Sequence, residues 1–203
     1  MPYKRRRLYT KKVVVKPKIH WSLFKRADAG TISPPKKNSA TNQFDASYVT
    51  SYDSKALVTS AADTINAPGA SKKIKHLKVE VTRSFTVDND TLHKALTKMK
   101  AYILYMPQGV AFSGQSQKDQ LAETILQHPE WIMAEKVLNC NYKAEQSTVS
   151  NCTINCKLSR NLKSGDQIIL VIATMYNTDT IGSTDISTMQ IPYNIEYSFA
   201  QTF

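Results

Sequence analysis

Ten basic side chains crowd the first 27 residues: Lys4, Arg5, Arg6, Arg7, Lys11, Lys12, Lys16, Lys18, Lys25 and Arg26, with no acid among them. Cations at this density neutralise phosphates and release the counterions condensed on a nucleic acid, which requires charge rather than a fixed fold. Ten contacts to a single strand would give a log–log salt slope near −7, at ~0.7 per contact. Tyr3, Tyr9 and Trp21 are interleaved with the charges. Each can stack on a base for roughly 1–3 kcal/mol without sequence preference. Trp21 has an equal claim as an anchor that pins the root of the arm to the fold. Lys4, Arg5, Arg6 and Arg7 with Lys11 and Lys12 also suit a nuclear-import signal, and one cluster can serve import before nucleic acid covers it. A second group, Lys72, Lys73, Lys75 and Lys78, opens a long strand pattern. It could extend the nucleic-acid surface, although solvated strand-end lysines are the simpler reading.

Elsewhere the reactive residue types do not assemble into a recognisable site. Asp88 and Asp90 stand two apart in a turn-like Asp-Asn-Asp, without the downstream Gly and Glu of a calcium loop. His128, beside Pro129 and Glu130, has no identifiable nucleophile near it. Cys140 would need a partner histidine to act as a nucleophile, and a buried thiol is its default. Cys152 and Cys156 lack the second ligand pair of a zinc site, and the four histidines are scattered. Dinucleotide, Walker, hydrolase-elbow and zinc-protease motifs are missing. The sequence therefore supports neither catalysis nor a cofactor or metal site. Three cysteines are too few for a disulfide framework and fit a reducing compartment. The apolar runs, Val13–Val15 and Ile168–Ala173, are too short for a secretory signal or a membrane span. Two glycosylation sequons, at Asn89 and Asn151, read as chance without a secretory route.

The charge is unevenly distributed. The chain of 203 residues carries +11, yet after the ten cations of residues 1–27 only 17 bases face 16 acids in the remaining 176. A polyanionic partner engaged by one end is the reading. With 41% hydrophobic residues, the remainder can build the core of one domain. We expect a basic arm over 1–26, disordered until neutralised, and a linker or surface loop over 27–44, rich in Pro, Ser, Thr and Asn. The folded domain then spans 45–203.

Within that domain period two dominates, the signature of half-buried strands. Leu77, Val79, Val81, Phe85 and Val87 alternate with polar residues, with Arg83 as the exception. Cys152, Ile154, Cys156 and Leu158 form a second inward row, and Ile191, Tyr193, Ile195, Tyr197 and Phe199 a third. Segments 98–106 and 167–176 read as more fully buried strands, 45–50 and 55–60 as weaker ones, and 118–126 as one short helix. Turns are expected at 88–90, 107–109 and 163–166. About eight strands and one helix imply an all-β, two-sheet antiparallel sandwich, of which a jelly roll is a natural member.

Three blocks carry a family resemblance. Tyr102–Gly109 reads YILYMPQG, His128–Ala134 reads HPEWIMA, and Leu158–Asp166 reads LSRNLKSGD. In this order and spacing they resemble the capsid proteins of circular, Rep-encoding single-stranded DNA viruses, the circovirus-like group. The resemblance covers about residues 70–176 and the basic N-terminus. Asn161 departs from it, standing where a basic residue is common, and the arm carries fewer arginines than many relatives. The resemblance implies a jelly-roll subunit that assembles with copies of itself, about sixty, into a small icosahedral shell. It also implies a single-stranded DNA genome on the arm inside, host nuclear import machinery as a partner, and the virion and host nucleus as locations. Membrane insertion is not implied. Roughly sixty arms would bring about 600 cations to the lumen. The loops 107–117, 139–150 and 177–190, between strands, are the expected subunit interfaces. The alternative is a cellular nucleic-acid-binding protein with a basic arm, of ribosomal or chromatin type.

Overall fold

A computed structural model describes residues 21–59, 72–84, 90–110, 127–138 and 149–202. Nine strands and two short helices lie among them: β1 (Ser22–Ile32), β2 (Tyr48–Thr59), β3 (Lys72–Ser84), α1 (Asp90–Ala95), β4 (Leu96–Met106), β5 (Ile132–Leu138), β6 (Val149–Asn155), β7 (Arg160–Leu162), β8 (Gln167–Asn177), α2 (Thr178–Ile181) and β9 (Ile191–Thr202). A single 3-10 turn, Pro129–Trp131, leads into β5.

The strands form two antiparallel sheets. One runs β1-β9-β3-β6, with the short β7 also pairing β3, and the other runs β2-β8-β4-β5. The chain crosses between the sheets so that β1 and β3 flank β9 in one, while β2 and β4 flank β8 in the other. This interlocked pair of Greek keys is a jelly roll. It follows from the register and confirms the all-β sandwich expected from the alternation.

Period-two patterning accounts for the core. Ile191, Tyr193, Ile195, Tyr197 and Phe199 of β9 are all buried, and they meet Val79, Val81 and Ile74 of β3 across the same inner face. From the other sheet Met99, Ala101 and Ile103 of β4, with Ile168, Leu170 and Ile172 of β8, close the layer. A second apolar cluster, Tyr102, Leu104, Met106, Ile169 and Val171, occupies the opposite face of β4 and β8. That is why these two strands read as continuously apolar. Arg83, which broke the alternation, keeps its inward position with 1% exposure, and its guanidinium donates to the Met99 sulfur at 3.5 Å.

Several boundaries differ from expectation. The arm expected to end at 26 and the linker expected at 27–44 both give up residues to β1, because Ser22–Ile32 pairs with β9 along its whole length, Ser22 with Gln201 and Ile32 with Ile191. Propensity hid this strand: its outer side, Leu23, Lys25, Ala27, Ala29 and Thr31, is exposed and mixes apolar with polar residues, and its inner side carries Arg26, Asp28 and Gly30 opposite Tyr197, Ile195 and Tyr193. Gly30 is required there, since a Cβ would lie 2.3 Å from the Tyr193 ring. The two weak strand candidates at 45–50 and 55–60 merge into β2, whose residues 51–54 pair with β8 without a break, and a bulge follows between Ala56 and Val58. Asp90, expected in a turn, opens α1 instead, where it pairs with Lys94 at 2.5 Å while Leu92 and Ala95 are buried. The short helix at 118–126 lies outside the described residues, as do Phe85 and Val87, Cys140, and residues 111–117 and 139–148 of the loops expected at interfaces.

Candidate nucleic-acid interface

Of the ten arm cations, the eight from Lys4 to Lys18 lie outside the described residues, as do Tyr3 and Tyr9. The remaining two are exposed on β1. Neighbouring strand residues point to opposite faces, so Lys25 and Arg26 part company. Arg26 stands opposite Tyr197 on the inner side, at the sheet edge. Lys25 stands opposite Ser198 on the outer side.

That outer side gathers the second basic group as well. Residues directly opposed in register share a face, and successive rows lie about 6.8 Å apart. One row holds Lys25, Ser198, Lys78 and Asn155, and the next holds Leu23, Ala200 and Lys75. Beyond it Lys73 opposes Thr202 on one side and Asn161 on the other. Lys72 belongs to the opposite face and is 5% exposed, so the four-lysine group divides into three outward lysines and one inward. A bulge between Lys75 and Lys78 keeps all three outward, with His76 taking a positive φ of 53° at the irregularity. Trp21 closes the corner of this face: the Lys75 ammonium stands 3.5 Å from its ring centroid. The stack supports the anchoring role for Trp21 and leaves its ring half-buried. Leu23, beside it, is 68% exposed.

Acids mark the other limit of the basic region. Glu80 and Glu196 face each other in the row after Lys78, and Lys78 hydrogen-bonds Glu80. A shallow depression of about 180 Å³ lies here, lined by Lys25, Lys78, Glu80, Glu196 and Ser198 among others. Beyond the acids the face is neutral, with Asn194, Thr82 and Asn151 in one row.

Next to the basic corner, the three sequence blocks singled out above come together. The Tyr105 hydroxyl donates to Asp166 at 2.8 Å, linking the first block to the third. Asp166, 3% exposed, also accepts from the backbone N–H groups of Lys163 at 2.8 Å and Gln108 at 3.1 Å. Arg160 of the third block donates to the Glu130 carbonyl of the second, and its guanidinium lies 5.2 Å from the Tyr105 ring centroid. His128 stacks on Trp131 at 3.8 Å, and its Nδ1 is 3.0 Å from a Glu130 carboxylate oxygen. Burial, reinforced by Asp166, holds the Tyr105 phenol above its usual range. The Glu130 carboxyl is held below its usual range by its own backbone N–H first and by His128 second. Gly165 takes φ +84°, with Gln108 packed where a side chain would go. The corner has the geometry of a loop clamp: it fixes the turn before β8 against the turn after β4.

Among the described residues, catalytic candidates do not converge. Cys156 is buried and bonded toward the Met133 carbonyl at 3.4 Å, and desolvation pushes its thiol up, away from reactivity. Among the described residues no group of three or more His, Cys, Asp or Glu could hold a metal ion, and no helix is long and apolar enough to cross a membrane. A larger cavity of about 590 Å³ lies at the far end of the sandwich, between residues 33–42 and 183–190. There Lys37 already reaches toward the Thr184 carbonyl at 3.5 Å.

No protein-family model matches the chain, and no curated protein matches it. Solved structures with a similar shape include a decameric BFDV capsid protein (10% identity, TM-score 0.35, covering 92% of this chain and 100% of that one). A 60-mer of the BFDV capsid protein gives 9% identity and a TM-score of 0.36, covering 91% of this chain and 93% of that one. Desmodium yellow mottle tymovirus gives 10% identity and 0.27, covering 98% and 93%.

Proposed function

We propose that this chain is a viral capsid subunit that assembles with copies of itself into a closed icosahedral shell and packages single-stranded DNA through its basic N-terminal arm. The observation that carries the reading is the attachment of that arm to a jelly roll. Cations from Lys4 to Lys18 lead directly into β1, at the end of a sheet whose outer side carries Lys25, Lys73, Lys75 and Lys78. Outside the first 27 residues the chain is nearly neutral, which lets copies pack side by side without large mutual repulsion. The blocks that resemble circovirus-like capsid proteins meet one another, and the third pairs through β7 with the lysine-bearing start of β3. The cluster Lys4–Arg7 with Lys11 and Lys12 serves as a nuclear localisation signal recognised by host import machinery. The protein then resides in the host nucleus during assembly and in the virion afterwards.

Assembly is the test. Purified full-length protein, alone and with single-stranded DNA at low salt, is to be imaged by electron microscopy and sized by light scattering. Uniform closed particles are expected. A stable monomer or dimer under both conditions would overturn the capsid reading.

A further inference from the structure

We infer that the outer face of the β1-β9-β3-β6 sheet is a second nucleic-acid site, selective for single strands and able to bind without the charges of the arm. The inference rests on the proposed function and deepens it, by assigning named residues of the fold to the packaged polymer.

Charge complementarity identifies the occupant. Lys25, Lys73 and Lys75 point to one side of a flat sheet, and Lys78 joins them through the row it shares with Lys25. Among the described residues only Lys78 of the four has an acid partner, Glu80, so the patch keeps a net positive field that attracts a polyanion. The neighbouring chain leads to the same choice, because the arm joins the fold at Trp21, on the corner of this face, where the ring lies under Lys75. A strand held by the arm is therefore delivered to the lysines with no gap to cross.

Single-strand selectivity comes from the apolar part of the patch. Trp21 is half-buried, with the Lys75 ammonium over one face of its ring and the other face left for a base, and Leu23 is 68% exposed. Flat aromatic and apolar surface flanked by cations is the arrangement on which unpaired bases stack, and every base offers a π-face. A duplex keeps its bases stacked inside and gains only the phosphate contacts. Asn155 and Asn161 border the lysine rows and add amide groups that can hydrogen-bond base edges. Glu80 and Glu196 set the far limit, since phosphates are repelled there, so the footprint is confined to the arm end of the sheet.

The test uses the full-length chain with its eight arm cations, Lys4 through Lys18, replaced by Gln, and with Trp131→Phe so that Trp21 alone reports fluorescence. Circular dichroism verifies the fold of each variant. Titration with a dT oligonucleotide should quench Trp21, with a salt slope near −3 from four lysines at ~0.7 each. Adding Lys25→Gln, Lys73→Gln, Lys75→Gln and Lys78→Gln should abolish the binding. Trp21→Ala, followed by anisotropy of labelled oligonucleotide, should weaken it by about fivefold to a hundredfold. The inference is overturned by any of three results: no binding by the arm-neutral chain at low salt, binding indifferent to the four lysines, or equal affinity for duplex of the same length. Particle formation by the unaltered protein is scored separately, so loss of this site leaves the shell reading standing and the converse also holds.

Discussion

Removing the imidazole of His93 should abolish a specific part of the acid sensitivity of the fold. His93 sits in α1 with 1% exposure, and its pKa is lowered from 6.5 to about 4. Burial is the main cause, the Arg83 guanidinium adds to it, and Asp90 opposes it. A histidine whose folded pKa is depressed binds its proton first in the unfolded chain. Stability is therefore intact above pH ~6.5, declines as pH falls toward ~4, and declines no further below that. About 2.5 pK units at 1.36 kcal/mol each give ~3 kcal/mol lost across the window, a substantial part of a typical 5–15 kcal/mol stability. Urea unfolding of wild type and His93→Gln, measured at half-unit steps from pH 7.5 to 4, isolates the effect as a difference between two curves. Groups common to both proteins then cancel, including Asp53, whose carboxyl is raised by burial and contributes with the opposite sign. His93→Gln should start less stable at pH 7.5 and approach or overtake wild type near pH 4. Parallel curves would refute the reasoning, as would an NMR titration placing the His93 midpoint near 6.5.

Two further results bear on the elements around the interface. At the corner, Asp166→Ala strands two backbone N–H donors and the Tyr105 hydroxyl, and should cost about 3 kcal/mol. Tyr105→Phe should cost about 1 kcal/mol alone and almost nothing in the Asp166→Ala background, a coupling read by a double-mutant cycle in urea. Additive losses would show that the two loops are held by other contacts. At the β1 edge, Gly30→Ala forces the Tyr193 ring away and breaks its hydrogen bond to Asp53. A loss of about 2–3 kcal/mol is expected, seen as a melting temperature lower by roughly 5–10 °C. An unchanged melting temperature would mean that β1 detaches freely from the sheet.

The strands visible in the sequence were those with a regular apolar pattern, on one face or on both. β9 and β3 announced themselves through alternate apolar residues, and β4 and β8 through β-branched and aromatic runs. β1 did not, because an edge strand that buries only Phe24 and Ile32 well has little reason to alternate. β5 was visible only as part of a family-like block; its sequence, Ile132–Leu138, has Glu135, Lys136 and Val137 exposed in succession. The interface was legible as charge but not as geometry. Lys25 and Lys78 are 53 residues apart, and only the shared partner Ser198 on β9 puts them in one row. The inward turn of Lys72 depends on strand phase, and the phase of Lys73 and Lys75 depends on a bulge that the sequence does not mark. Likewise Tyr105 and Asp166 are 61 residues apart and join through strand order alone.

Near-neutrality of the fold hides a polarised surface, and polarity is what a container subunit needs. Cations spread evenly over the sandwich would repel those of neighbouring copies wherever two subunits approach within a Debye length, about 8–10 Å at moderate salt. Here Lys25, Lys73 and Lys75 stand together on one sheet face at one end, with Lys78 beside them paired to Glu80. Among the described residues, three lysines elsewhere meet acids: Lys100 faces Glu135 at 3.8 Å, Lys94 pairs with Asp90, and Lys55 lies 4.0 Å from Asp28. Under the proposed function, a polyanion on the basic face would neutralise this charge and bridge adjacent copies. In the proposed shell, nucleic acid is thus a structural partner as well as cargo, and assembly should become more salt-sensitive when single-stranded DNA is present than when it is absent.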